Sequence, residues 1–178
     1  MSSNVFNDIN RVYKKGDIKY LLSKYIDINY WENELSTFFP NKGIENFTDF
    51  NYSTCFTMYI NISDTSAKIG TQEFDDFIIG NGCAYRVQVQ ISVIAPYATV
   101  KFIKYEYDGK RIKFTSKNSP FLEEHLIISN KVNQFLYKFN LELLGDEVLS
   151  LQVADVSLEL RQENVTVYNC LFEDEYDY

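Results

Sequence analysis

Apolar residues recur along the first forty positions with the period of a helix. Val5, Phe6, Ile9, Val12 and Tyr13 fall at i, i+1, i+4, i+7 and i+8, a stripe that turns one side of a helix inward. Gly16-Asp17 interrupts it, and Asp17 is placed to cap a second helix bearing Ile18, Leu21, Leu22, Tyr25 and Ile26. Trp31, Leu35, Phe38 and Phe39 carry the theme to Pro40, and Asn41-Lys42-Gly43 is a turn. Residues 1–40 are therefore expected to be helical.

From about residue 51 the period becomes two. Thr54 to Ser63 is rich in β-branched and aromatic residues, as strands are. The clearest alternation is Tyr85 to Val93, where Tyr85, Val87, Val89, Ile91 and Val93 share one face. Arg86, Gln88, Gln90 and Ser92 share the other, which predicts a half-buried antiparallel strand with a wet face. Between these strands, Asp64 to Gly82 is polar and carries Glu73, Asp75 and Asp76, so a connecting loop is expected there, with Gly80-Asn81-Gly82 as a strand turn. Pro96 ends the alternating strand and Ala98 to Tyr107 forms the next. Asp108-Gly109 is a hairpin signal, because both residues tolerate positive φ, and Lys110 to Thr115 returns as the partner strand. Residues 51–115 thus read as an antiparallel meander.

Ser119-Pro120 has the form of an N-cap followed by a first helical residue. Leu122, Leu126, Val132, Phe135, Leu136 and Phe139 then give a helix within 119–140. Val156, Leu158 and Leu160 alternate with Ser157, Glu159 and Arg161, and Val165 to Phe172 follows a polar turn. A β-hairpin over 156–172 is expected, ending in an acidic tail at 173–178. The whole reads as one α+β domain, 1–178: N-terminal helices packed with an antiparallel β-meander, one further helix and a C-terminal β-hairpin.

Charge changes the picture of partners. The net charge is -8, which repels phosphate backbones and disfavours nucleic acid. Residues 101–140 carry eight Lys/Arg against four acids, whereas residues 141–178 carry ten acids against Arg161 alone. The final carboxylates are either a solubilising tail or a docking surface for a basic partner. The solubilising reading comes first, and the interleaved rings of Tyr176 and Tyr178 raise the docking one, since solubility alone has no need of them. No stretch has the length of a membrane span, and Met1-Ser2-Ser3-Asn4 does not open a basic-then-apolar leader, so a cytoplasmic protein is expected. Cys55, Cys83 and Cys170 are widely spaced and odd in number, which reads as buried free thiols in a reducing compartment.

The residues for ordinary catalysis do not assemble along this chain. His125 is the lone histidine, and beside Glu123 and Glu124 it reads as a surface or boundary residue. The cysteines lack paired zinc spacing, the acids around Gly80-Asn81-Gly82 lack a calcium-loop pattern, and no phosphate-binding glycine motif occurs. A non-enzyme without metal or cofactor is expected. Tyr97, Tyr105 and Tyr107 share strand parity with Lys101. Rings and a cation on one face could stack bases, but the simpler reading is a face covered by a helix.

The last segment, Asn164-Val165-Thr166-Val167-Tyr168-Asn169-Cys170-Leu171-Phe172-Glu173-Asp174-Glu175-Tyr176-Asp177-Tyr178, resembles the ends of small bacterial proteins encoded beside polymorphic or contact-dependent toxins. In those proteins a last strand runs into a Cys-Leu-Phe-acidic-Tyr-Asp terminus. The resemblance covers 15 of 178 residues and contains no catalytic motif. It implies an immunity-type protein that binds and neutralises a cognate toxin, with a basic toxin domain as the protein partner. On that footing the partner-binding residues are Glu173, Asp174, Glu175, Tyr176, Asp177 and Tyr178, with Glu73, Asp75 and Asp76 as a second patch. The alternative is a structural or phage-type accessory subunit that forms a homo-oligomer and inhibits nothing.

Overall fold

A six-stranded sheet organises the molecule, and its two faces are treated very differently. The computed structural model describes residues 2–24 and 27–174, so Tyr25 and Ile26 of the expected second helix lie outside the described residues. Three helices come first: α1 (Ser2–Tyr13), α2 (Lys19–Lys24) and α3 (Tyr30–Phe38). Gly16, at φ 66°, takes the left-handed conformation that lets the amides of Gly16 and Asp17 return to the carbonyls of Val12 and Arg11 and close α1. Asp17 then accepts from the Lys19 amide at the start of α2, as expected of a capping side chain.

Strands β1 (Ile44–Asn46), β2 (Cys55–Asn61), β3 (Cys83–Ser92), β4 (Tyr97–Tyr107) and β5 (Ile112–Lys117) pair in chain order as an antiparallel meander. Asp108 holds the β4–β5 connection, its carboxylate accepting from the amides of Lys110 and Arg111 while Gly109 sits at φ 89°. The loop is thus four residues, 108–111, longer than a two-residue hairpin turn. A short β6 (Glu142–Leu143) pairs parallel to Tyr97-Ala98 of β4. The α+β class holds. No helix among the described residues is long and apolar enough to cross a membrane.

One sheet face is the main core. Phe56, Met58 and Ile60 of β2, Val87, Val89 and Ile91 of β3, and Ala98, Val100 and Phe102 of β4 are all buried in it. Helices α3 and α5 (Leu126–Lys138) supply the covering layer. Trp31 of α3 stands edge-on to Phe56, Phe135 and Phe139 at 5.1–6.4 Å between centroids. Each such pair adds about 0.5–1.5 kcal/mol beyond the area it buries.

The helix expected from Ser119 begins later. A 3-10 turn over Glu123–His125 precedes α5, and Ser119 caps neither. His125 is buried in that turn, not at the surface, and its ring lies 4.9 Å from that of Tyr85. Burial lowers its pKa, because the charged imidazolium loses its water.

Two further expectations fail. The polar stretch 64–82 is not all loop, for Gln72–Asn81 forms α4. Thr71 caps it by accepting from the Phe74 amide, Glu73 and Asp75 sit in the positive first turn, and Phe74 and Ile78 face inward. Gly80-Asn81-Gly82 is accordingly the end of a helix, with Gly82 at φ 82°.

The hairpin over 156–172 is also absent. Residues 142–171 fold as β6, α6 (Asp146–Leu149), an irregular crossing, and α7 (Val167–Leu171). A capping box fixes α7: Thr166 accepts from the Asn169 amide and Asn169 accepts from the Thr166 amide. All five α7 residues are buried. The Tyr13 hydroxyl of α1 donates to the Cys170 carbonyl at 2.8 Å, joining the two ends of the domain.

Candidate functional site

The second sheet face carries the polar half of each alternation. Register aligns Thr57 with Gln90, Tyr59 with Gln88 and Asn61 with Arg86 between β2 and β3. Between β3 and β4 it aligns Gln90 with Thr99, Gln88 with Lys101 and Arg86 with Ile103, and Tyr105 of β4 meets Phe114 of β5. Because partners across a ladder project to the same side, these side chains form one continuous surface.

Both ends of that surface are covered, which corrects the expected wet face. At one end α4 packs Phe74 and Ile78 on Ala84, with Tyr105 and Ile112 against them. Arg86 is 0% exposed there and pairs with Glu45, which is 12% exposed. Its guanidinium also donates to the Ala67 carbonyl at 2.7 Å and lies 4.5 Å from the Phe74 ring centre. Glu45 in turn accepts from the Ile69 amide at 3.0 Å, so the ion pair clamps the segment leading into α4. At the other end Gln90, also buried, accepts from the Tyr168 hydroxyl and donates to Glu173 at 2.7 Å.

Between the covers the sheet stays open as a groove of about 820 Å³. Its floor is Thr57, Tyr59, Gln88, Gln90, Lys101 and Ile103, and Tyr168 and Glu173 close one end. Phe47, Asp49 and Tyr52 form a rim on one side and Phe114 on the other. Three rim rings are well exposed: Phe47 at 46%, Tyr52 at 62% and Phe114 at 70%. The floor is polar, with Gln88 donating to the Tyr59 hydroxyl at 3.1 Å and Lys101 paired with Asp146 at 2.8 Å. Exposed rings around hydrogen-bonding side chains suit a protein surface better than a sealed small-molecule cavity.

Of the anticipated acidic residues, Glu173 lines this groove, and Asp174 lines the adjoining cleft of about 340 Å³ and accepts from the Leu160 amide. Glu175, Tyr176, Asp177 and Tyr178 lie outside the described residues. Glu73, Asp75 and Asp76 sit on α4 without lining the groove, and Asp76 accepts from Gln72 within that helix. The two acidic patches are therefore not combined into one lining. Lys101 and Tyr105 both line the groove, Tyr105 with the Phe74 ring of α4 edge-on to it at 5.2 Å, whereas Tyr97 is buried and donates to Asp8 of α1 at 2.8 Å. Tyr107 stands exposed at the end of β4.

Phe47, Asp49, Tyr52 and Phe114 were not among the anticipated residues. Phe114 has the strand parity of Tyr105 across the hairpin, which is a legible signal. The 47–53 segment has no periodicity to expose its role.

Cys55 and Cys170 are buried and Cys83 is half-buried, all three as free thiols. Desolvation pushes the Cys55 and Cys170 thiols up to about 12. Among the described residues no three metal-ligating side chains come together. No family model, curated protein or solved structure matches the chain.

Proposed function

We propose that the chain is a non-catalytic protein-binding module of the immunity type, which neutralises a cognate toxin by holding it on the open sheet face. The observation that carries this is the groove between α4 and α7, where Phe47, Tyr52 and Phe114 stand exposed around a polar floor. Exposed aromatic side chains are the residues from which interfaces draw most of their affinity. The net charge of -8 favours fast association with a basic partner. The C-terminal resemblance supplies the toxin as the partner class, and Glu173 links that segment to the groove.

The test is affinity capture from the source cell followed by rescue. The captured partner should be a basic protein that arrests growth when expressed alone. Co-expression of the wild-type chain should relieve the arrest, and Tyr52→Ala with Phe114→Ala should not. Capture of the chain's own copies only, or rescue indifferent to those substitutions, refutes the proposal. A homo-oligomeric accessory subunit is the second reading, favoured by exposed Leu122, Leu126 and Ile127 near the start of α5. A stable oligomer in sedimentation, lost on Ile127→Glu, would support it.

A further inference from the structure

Along one rim of the groove, rings and a carboxylate share the lining. Phe47 and Tyr59 meet at 5.2 Å between centroids and 73° between planes, an edge-to-face contact that holds the two rings against each other. Tyr52 and Asp49 line the same groove. A cation over ring faces is attracted by their negative quadrupoles, most strongly where water is partly excluded.

These groups are held, not merely displayed. The Phe47 amide donates to the Thr57 carbonyl at 2.8 Å, and the amides of Tyr52 and Ser53 both return to the Asp49 carbonyl. Ser53 is bridged to Glu173, fixing the loop to the segment that follows α7. Asp49 Oδ1 is engaged by the amide and side chain of Asn51, while Oδ2 makes no hydrogen bond among the described residues. A loop tied in this way loses little freedom on binding, which is the condition for affinity from a few contacts.

Charge selects the occupant. Asp49 and Glu173 line the groove, and its lysine, Lys101, is matched by Asp146. A planar guanidinium can stack on the rings and address a carboxylate at once, which an ammonium does less well. We infer that this rim of the groove, lined by Phe47, Tyr52, Tyr59 and Asp49, receives an arginine side chain projecting from an extended segment of the protein partner. The inference rests on the protein-binding function proposed above.

The probe is the peptide acetyl-Gly-Arg-Gly-Arg-Gly-amide, titrated into the full isotopically labelled chain while NMR chemical shifts are followed. Its controls are the same peptide with citrulline, the neutral isostere of arginine, and a tetrathymidylate. Shifts are expected for residues lining the groove, with binding about tenfold weaker for citrulline, the loss of one good cation contact. Asp49→Asn and Tyr52→Ala should each weaken the arginine peptide several-fold. Asparagine retains the oxygen that Asn51 engages, and Tyr52 is largely exposed, so unchanged spectra of the free variants verify folding.

Equal affinity for citrulline at the same residues overturns the arginine receptor and leaves the protein-binding groove standing. Shifts elsewhere, or none at millimolar peptide, overturn the receptor as well, and the capture-and-rescue experiment then judges the groove separately. Tighter groove binding by tetrathymidylate overturns both.

Discussion

The ion pair of Arg86 and Glu45 makes the sharpest test of how the second sheet face is held. Arg86 is fully buried, and its compensation comes from Glu45, the Ala67 carbonyl and the Phe74 ring. Glu45→Ala removes the one opposite charge and leaves a guanidinium without a counter-ion. Breaking a buried pair from one side costs about 3–5 kcal/mol. Glu45 retains some exposure, so water can enter the vacated space, which favours the lower half of that range.

Replacing both partners, Glu45→Leu with Arg86→Met, removes the charge problem and should leave a net loss of about 1–2 kcal/mol, chiefly the hydrogen bonds to Ala67 and Ile69. The assay is urea unfolding followed by Trp31, the single tryptophan and a buried one. For a chain of this size a loss of about 3–4 kcal/mol lowers Tm by roughly 6–16 °C, at about 2–4 °C per kcal/mol. A double variant no more stable than Glu45→Ala would refute the reasoning, because the penalty would then not be an uncompensated charge.

Other expectations follow from the same chemistry. Thr71→Ala removes the α4 cap and should cost about 1 kcal/mol, with new protease cuts confined to residues 64–82. Native protein at pH 8 should expose only the half-buried Cys83 to a thiol reagent, with Cys55 and Cys170 reacting after unfolding. Those two thiols are raised in the folded state, so their contribution is complete below the ordinary value of 9.0 and is lost as pH climbs toward about 12. Unfolding free energy should fall across that window in alkaline titrations, and less in Cys55→Ala. His125 has the opposite sense: its folded pKa is lowered, so stability present above 6.5 declines as pH falls below it. His125→Phe, kept edge-on to Tyr85, should flatten that acid limb, and an unchanged slope would count against the buried imidazole.

What could be read from the chain follows from where periodicity survives burial. The β3 alternation and the β4–β5 hairpin were legible because one face of each takes apolar residues and the other polar ones. In α4 the spacing Phe74, Phe77, Ile78 is helical, with Thr71 three residues ahead as a cap, yet the acids around it resemble a solvated loop. That signal was present and outweighed. In α7 there was little to see. Val167, Tyr168, Asn169, Cys170 and Leu171 are buried on every side, so polarity carries no period, and β-branched residues imitate a strand. The burial of Arg86 was hidden for another reason. A charged residue on an alternating strand reads as solvent-facing until its partner, 41 positions away, is known. The groove was half legible: parity collects Gln88, Lys101, Tyr105 and Phe114, but nothing local foretells the rim from 47 to 52.

Helix α7 has a consequence for biosynthesis. Residues 167–172 are interior to the core, and Phe172 and Cys170 receive bonds from Thr54 and Tyr13, 118 and 157 positions earlier in the chain. While translation is under way, the sheet can pair but its apolar interior stays unsealed until those late residues emerge. A nascent chain stalled before Val165 would therefore present a sticky, half-assembled surface to chaperones, and sealing of the core waits on the synthesis of residues 165–172.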